Sequence, residues 1–303
     1  MLRKDAAQWS ASAHSIVVEA AVLASEAINA YAGVLNGKYF VGISAAVIIF
    51  LYGECGKAIG LTERPFSAEN KRRWSITAHA AVSVARFHEF AHIVNGHLDL
   101  RSHVGRDALS GLDNQTLEYD ADSYAAQALF SRIAGAEAEG RREDGSQIWR
   151  WPESNRFGNQ TQQMSILGAA IYHYFDTFVK FRGGRKPGWE GDFALAAQHP
   201  YPPLETRLHT MFVTVATHLQ GFDLSDTERQ IAIRSMTDSV VETATNLGQR
   251  EERFQELVAR PIGPAQEYNK MLERNWKARI RPALQPFARG RLAGSPFDPN
   301  RHK

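Results

Sequence analysis

The sequence predicts a mainly α fold with a small β element, that is, an α+β protein. Apolar residues recur at helical spacing along most of the chain, and one apolar segment begins with residues typical of a strand. No repeat with a period of about 20 to 50 residues is present, which excludes solenoid folds. The 303 residues are 44% hydrophobic and 22% charged, a composition typical of globular proteins.

Amphipathic segments place the helices. The first covers 15–34 and should end before Asn36, and the second covers 74–95 and should end at Gly96, a common helix terminator. Further helices are expected at 117–130, 164–181, 203–219, 226–247 and 264–279. The polar stretch 134–163 is expected to be a long loop, and its length and polarity suggest a lid over a functional site.

The longest apolar window without a charge covers residues 39–53. It is shorter than the roughly 20 residues that span a bilayer, so we expect buried core rather than a membrane segment. Its first residues favour a strand, which could flank a cleft and bind an extended substrate by strand addition. Whether the rest is strand or helix stays open. Glu19 and Glu26 interrupt the Ala-rich N-terminal stretch, which argues against a signal peptide.

Charge and cysteine content narrow the function classes. The net charge of +2 argues against a general electrostatic nucleic-acid binder. The single cysteine, Cys55, excludes an intramolecular disulfide and every multi-cysteine metal site, and no base stands near it in sequence, so we expect a buried, inert thiol. Any metal must be held by His, Asp and Glu, and a cytoplasmic location is expected.

Three segments are expected along the chain. Residues 1–70 form a helical and strand segment packed on the core, 71–220 form the core, and 221–303 form C-terminal helices. From Lys270 onward there are nine basic residues against two acidic ones. The Pro and Gly content of this tail predicts an irregular, partly disordered end. It is the one part of the chain expected to attract nucleic acid or an acidic partner.

The second predicted helix contains the pattern His-Glu-x-x-His. His88 and His92 lie about 40° apart on one helical face, so both imidazoles can reach one metal ion. Glu89 projects about 100° to the side, where it reaches a water bound to that ion rather than the ion itself. The spacing therefore predicts a hydrolytic zinc site.

A zinc site of this kind needs a third protein ligand. The candidates that follow His92 are His97, Asp99, His103 and Glu118. The metzincin spacing is absent, because Gly96 and His97 stand four and five residues after His92. Glu118 and Asp122 lie on one face of the third predicted helix, so Glu118 is expected to bind the ion and Asp122 to orient a ligand imidazole. An ordinary solvated acidic face is the alternative for this helix.

The two motifs, His-Glu-x-x-His at 88–92 and Glu-x-x-Ala-Asp-x-x-Ala at 118–125, resemble those of the gluzincin zinc metallopeptidases. This group includes HtpX-like membrane proteases, ImmA/IrrE-like regulators and the phage-exclusion protease Lit with its relatives. The short spacing and the residues 93–100 are most similar to the Lit-like group. The resemblance covers about residues 75–210.

The resemblance implies a zincin-like metallopeptidase domain that hydrolyses protein or peptide substrates. Zn²⁺ would be held by His88, His92 and Glu118. Glu89 would act as the general base towards a zinc-activated water. For the Lit-like group, the resemblance further implies a cytoplasmic protease of narrow specificity in phage exclusion or a related stress response.

Residues 199–208 are similar to the His-Pro-Pro-Leu-Glu-x-Arg segment of HtpX-like enzymes, with two extra residues after His199. The resemblance implies that either His199 or Tyr201 stabilises the oxyanion. Arg207 is expected to hold a carboxylate such as Asp122, with a surface role as the alternative. His97 is a candidate partner of a ligand or of substrate, with a helix cap as the alternative.

Two other histidines are expected to be structural. His79 stands about 180° round the helix from His88, and His173 lies in an aromatic cluster typical of core. Two other functions stay open at this point: a catalytically silent, metal-stabilised regulatory or binding protein, and a membrane-associated quality-control protease. The presence of Glu89 argues against the first, because a structural zinc needs no adjacent general base.

Overall fold

A computed structural model of the chain describes residues 17–60, 67–105, 108–135, 137–141, 147–181, 201–248, 264–289 and 292. Within these residues the fold is mainly helical with a small sheet, which confirms the general class predicted. The strands are β1 (Val18–Leu23), β2 (Ala30–Leu35), β3 (Lys38–Ser44), β4 (Glu137–Arg141), β5 (Gln147–Arg150), β6 (Ser154–Asn155) and β7 (Gly158–Asn159). The helices are α1 (Ala45–Ala58), α2 (Ala68–Val94), α3 (His97–Val104), α4 (Gly111–Ala134), α5 (Gln160–Phe181), α6 (Leu204–Leu219), α7 (Asp226–Asn246), α8 (Pro264–Asn275), a π-helical turn (Trp276–Ile280) and α9 (Arg281–Leu284).

The prediction of a helix at 15–34 is wrong, because the described part of this segment forms β1 and β2. With β3 they form a sheet of order β1-β3-β2, in which β1 is parallel and β2 antiparallel to β3. Asn36 and Gly37 both have positive φ, 51° and 73°, as the tight turn of a two-residue hairpin requires. Asn36 and Gly37, predicted to follow the end of a helix, therefore form a hairpin turn that connects β2 to β3.

The segment 39–53 divides between β3 and α1, so the strand expected at its start is confirmed and the rest is helix. The Ser44 hydroxyl accepts a hydrogen bond from the Val47 amide and begins α1. Val47 and Leu51 are fully buried, whereas Ile49 is 72% exposed, so the segment is buried on one face only. In the part of the chain that the structure describes, no helix has the length and apolarity needed to cross a bilayer.

The long helix α2 lies at the centre of the fold and contacts α1, α4, α5 and the sheet. Ser67 caps its first turn. Fully buried alanines on α2 and α4, among them Ala85 and Ala121, leave room for a close approach of the two helices. On α4, the capping box between Ser110 and Asp113 fixes the first turn, just before the predicted Glu118 motif.

The stretch 134–163 is not the plain loop expected from its polarity. Gly135, with φ 61°, ends α4, and two short antiparallel pairs follow, β4 with β5 and β6 with β7. None of its described residues lines the cleft that contains His88, His92 and Glu118, whereas Arg156 and Phe157 line a separate hollow beside α2. The described part of the stretch thus gives no support to a lid over that cleft.

The basic C-terminal segment is more ordered than predicted. Residues 264–284 are helical, and the buried side chains of Trp276, Ile280 and Leu284 pack in one cluster with Leu100 and Leu117. The helix predicted at 264–279 is confirmed, and helical structure continues to Leu284. The irregular structure expected after Lys270 is therefore not found in this part, because an apolar face repeats through the basic sequence. Residues 293–303 lie outside the described residues, and the three-segment division stays a prediction.

Candidate metal centre

Three buried side chains from α2 and α4 converge as the sequence predicts. His88 Nε2 lies 3.2 Å from His92 Nε2 and 3.2 Å from Glu118 Oε2, and His92 Nε2 lies 3.6 Å from Glu118 Oε1. One ligand atom from each residue lies within 4.8 Å of the other two. Helices α2 and α4 run antiparallel here: His88 contacts Asp122, whereas His92, one turn further along α2, contacts Glu118, one turn earlier on α4.

The donor set fits a metal ion. Ligand atoms placed about 2.0–2.1 Å from a tetrahedral zinc are about 3.3 Å apart, close to the three separations found here. The Nδ1 atom of His88 faces Asp122, and that of His92 faces His97. The Nε2 atoms of both rings are therefore the ones that face the carboxylate of Glu118. Three atoms with lone pairs in one buried place are compatible with a cation between them. The group can therefore hold a metal, and the geometry alone does not select the element.

The metal-site cleft, of about 240 Å³, opens above this group. Its walls include the ligand triad, residues of β2, α3 and α5, and three other predicted site residues, Glu89, Tyr201 and Arg207. The residue Glu89 is 9% exposed, whereas Tyr201 is 38% exposed. His199, the other candidate for the oxyanion, lies outside the described residues.

The strand beside the cleft is β2 rather than the strand predicted at the start of the apolar window 39–53. In the order β1-β3-β2, β3 is paired on both sides and β2 is an edge strand. Asn29, Ala30, Tyr31 and Ala32 line the cleft. Strand addition, if it occurs in this sheet beside the cleft, therefore involves β2, because β3 has no free edge.

The imidazole of His88 contacts Asp122, which forms a buried ion pair with Arg207. Asp122, which is fully buried, places Oδ1 2.9 Å from His88 Nδ1. Arg207 donates from Nε to Asp122 Oδ2 and from an NH2 group to Oδ1, each at 2.7 Å. The expected contact between Arg207 and Asp122 is thus confirmed, and its fork geometry fixes the carboxylate against His88.

His92 is held through a second histidine. His92 Nδ1 lies 2.8 Å from His97 Nδ1, and His97 Nε2 lies 3.0 Å from Asp120 Oδ2. Asn95 also donates its side-chain amide to Asp120 Oδ2. The His97 tautomer with its proton on Nε2 would donate to Asp120 and accept the Nδ1 proton of His92. In that arrangement the lone pair of His92 Nε2 faces the centre. His97 therefore contacts a candidate ligand and is more than a helix cap.

The protonation of the metal-free triad follows from burial and charge. Burial lowers the pKa of His88, but Asp122 and Glu118 outweigh it and raise that pKa to about 9. Burial lowers the pKa of His92 well below its usual value; Glu118 opposes this effect, whereas Arg101 acts in the same direction as burial. Burial raises the pKa of Glu118, but His92, His88 and Arg207 reverse the effect and lower it. The metal-free centre thus favours one imidazolium beside one carboxylate.

The other ligand candidates lie elsewhere. Asp99 forms an ion pair with Arg289 at 2.6 Å and accepts a hydrogen bond from the Tyr39 hydroxyl at 2.5 Å. The exposed ring of His103 lies 5.4 Å from the ring of Phe287. Within the described residues, His88, His92 and Glu118 are the group of His, Cys, Asp and Glu side chains whose geometry suits a metal.

Residues expected to be structural are placed accordingly. The ring of His79 lies 2.7 Å from both the Ser75 carbonyl oxygen and the Tyr52 hydroxyl, away from the centre. His173 is buried in the core, and burial lowers its pKa to about 4. Burial also raises the pKa of the Cys55 thiol, as expected for an inert cysteine.

Three residues of the site were missed by sequence reasoning. Asp120 stands between Glu118 and Asp122 in sequence, yet it contacts His97 because the chain turns back at Gly96. Tyr174 packs beside His88 with ring centroids 6.1 Å apart and also lines the metal-site cleft. Arg101 lines the cleft from α3. For Arg101 the sequence offered only its position in a short helical segment, where a basic residue ordinarily faces solvent.

No protein-family model, curated protein or solved structure matches this chain. The candidate site therefore stands on its own geometry and on the motifs that carry the resemblance.

Proposed function

We propose that this protein is a zinc-dependent endopeptidase with a zincin-like core. The observation that carries the proposal is the buried triad of His88, His92 and Glu118, spaced as zinc ligands are, with Glu89 in the same cleft. Imidazole and carboxylate donors suit zinc, and three protein ligands leave a position open for water or substrate. A purely structural zinc site would instead use four protein ligands.

The side chains then divide the chemistry among them. A bound zinc would supply a Lewis acid and a water of lowered pKa. Glu89 would act as the general base, accepting a proton from the attacking water and returning it to the leaving amine. Tyr201, which lines the same cleft, would donate a hydrogen bond from its hydroxyl group to the developing oxyanion, a role for which His199 is the alternative.

The remaining groups position the reacting ones. The ion pair of Asp122 and Arg207 fixes His88, and His97 with Asp120 fixes His92. The outer edge of β2 would bind an extended substrate as an added strand. The resemblance to the Lit-like group extends the proposal to a cytoplasmic protease of narrow specificity in phage exclusion or a stress response.

Metal content and cleavage, measured on the same proteins, test the proposal. The proteins are wild type, Glu89→Gln, Glu118→Ala and Glu54→Ala. Glu54 is a matched control because it is a buried glutamate, 5% exposed, that pairs with Lys57 and Lys180 outside the cleft. Elemental analysis gives zinc per chain, and mass spectrometry identifies new N-termini in a proteome-derived peptide library.

We expect one zinc per chain in wild type, Glu89→Gln and Glu54→Ala, less zinc in Glu118→Ala, and cleavage by wild type and Glu54→Ala alone. A wild-type protein without zinc would refute the proposal. Zinc without cleavage in every protein would instead favour a silent, metal-stabilised regulatory protein.

A further inference from the structure

Two arginines flank the carboxylate of Glu118. An NH2 nitrogen of Arg207 lies 3.7 Å from Glu118 Oε2, and an NH2 nitrogen of Arg101 lies 3.8 Å from Glu118 Oε1. Arg207 is nine-tenths buried and its charge is matched by Asp122 through two hydrogen bonds of 2.7 Å. Arg101 differs in both respects, since its side chain is 30% exposed and 3.8 Å is too long for a hydrogen bond.

Among the described residues, Glu118 is the acid whose carboxylate lies within 4 Å of the Arg101 guanidinium. A cation held by Glu118 would engage that same carboxylate. The guanidinium of Arg101 would then stand beside a second positive charge without an anion of its own in the described part of the chain. Such a guanidinium is electrostatically suited to a carboxylate brought in from outside.

The surroundings of Arg101 favour such a carboxylate. The described acids that line the metal-site cleft are Glu89 and Glu118, which the proposed function already uses, so no further acid there competes for Arg101. Guanidinium also matches the two oxygens of a carboxylate in a fork geometry.

We propose that Arg101 binds a carboxylate of the peptide substrate close to the scissile bond and thereby makes the cleft selective for it. The carboxylate is either an Asp or Glu side chain or the C-terminal carboxylate of the peptide. This inference rests on the proposed peptidase function, and it adds the class of substrate.

A binding experiment that needs no catalysis tests the inference. Zinc-loaded Glu89→Gln protein is dialysed against octapeptides with one position fixed as Glu or Gln, the other positions uncharged and the C-terminus amidated. A second arm uses the Gln peptides with a free or amidated C-terminus. Mass spectrometry of the retained peptides gives the ratio within each pair, which distinguishes the two sources of the carboxylate.

Three variants are compared in the same Glu89→Gln background: Arg101→Gln, Arg101→Lys and the control Arg234→Gln. Arg234 is an exposed arginine on α7 that does not line the cleft. We expect about 10-fold preferential retention of the carboxylate peptide in one arm, as for a charge-assisted hydrogen bond. The ratio should fall to about one in Arg101→Gln, be partly kept in Arg101→Lys and be unchanged in Arg234→Gln, with the zinc content of all variants equal.

Equal retention of carboxylate and amide peptides, a preference that survives Arg101→Gln, or no retention of any peptide would each overturn the inference. Cleavage of the same library by wild type separates this result from the proposed function. Cleavage without a carboxylate preference leaves the peptidase standing and removes the role of Arg101. Carboxylate-dependent retention without cleavage keeps that role and counts against the peptidase.

Discussion

Replacing Arg207 by methionine should destabilise the metal-free protein by about 3–5 kcal/mol. Asp122 has no exposed surface, and Arg207 supplies both of its 2.7 Å hydrogen bonds. Hydrogen bonds to charged groups contribute about 1.5–3 kcal/mol each, and removal of the guanidinium leaves a buried charge. The contact of Asp122 with His88 Nδ1 at 2.9 Å remains and places the loss within this range rather than above it.

The assay is urea unfolding followed by circular dichroism, in a double-mutant cycle of Arg207→Met and Asp122→Asn. The double variant removes both charges, so it should be more stable than Arg207→Met by about 2 kcal/mol. Arg234→Met is the control for loss of a surface arginine. A loss below about 1 kcal/mol for Arg207→Met, or additive effects in the cycle, would refute the account of a buried carboxylate neutralised by Arg207.

Two further predictions concern the metal and the C-terminal segment. Because the pKa of His88 is raised to about 9 in the metal-free protein, zinc binding at pH 7 should release its proton, and zinc affinity should rise about tenfold per pH unit from pH 7 to 9. Calorimetry in buffers of different ionisation enthalpy measures the release, and a pH-independent affinity would contradict it. Replacing Arg289 by glutamine should lower stability by about 1–3 kcal/mol, because it removes the 2.6 Å ion pair with Asp99 and the 2.9 Å hydrogen bond to the Ile93 carbonyl oxygen. A urea midpoint equal to that of wild type would show that these contacts contribute nothing.

Local sequence patterns were sufficient for the centre of the site. His88 and His92 share a helical face at a spacing of four, and so do Glu118 and Asp122, so each pair could be assigned before the structure was known. The approach of the two helices follows from their apolar faces. The contact of Arg207 with Asp122 could be expected from charge, although its fork geometry could not.

The elements that depend on contacts between distant parts of the chain could not be predicted from local patterns. Residues 18–35 have apolar positions compatible with a helix, but pairing with β3 in both parallel and antiparallel senses decides the outcome, and no local pattern encodes a parallel partner. The Pro and Gly content after Lys270 suggested an irregular end, whereas one apolar face of that segment packs against Leu100 and Leu117. Composition alone gives no information about which face of a segment is buried.

The turn at Gly96 links these distant parts to the site. Gly96 has a φ of 81°, and a Cβ atom there would lie 2.7 Å from the backbone carbon of Phe287. Only glycine satisfies both conditions, so the chain can reverse after α2 and begin α3 under the C-terminal segment. The reversal places His97 against His92 and Arg101 beside Glu118. The C-terminal residues thus help to determine which groups surround the metal ligands, although they supply none of the ligands themselves.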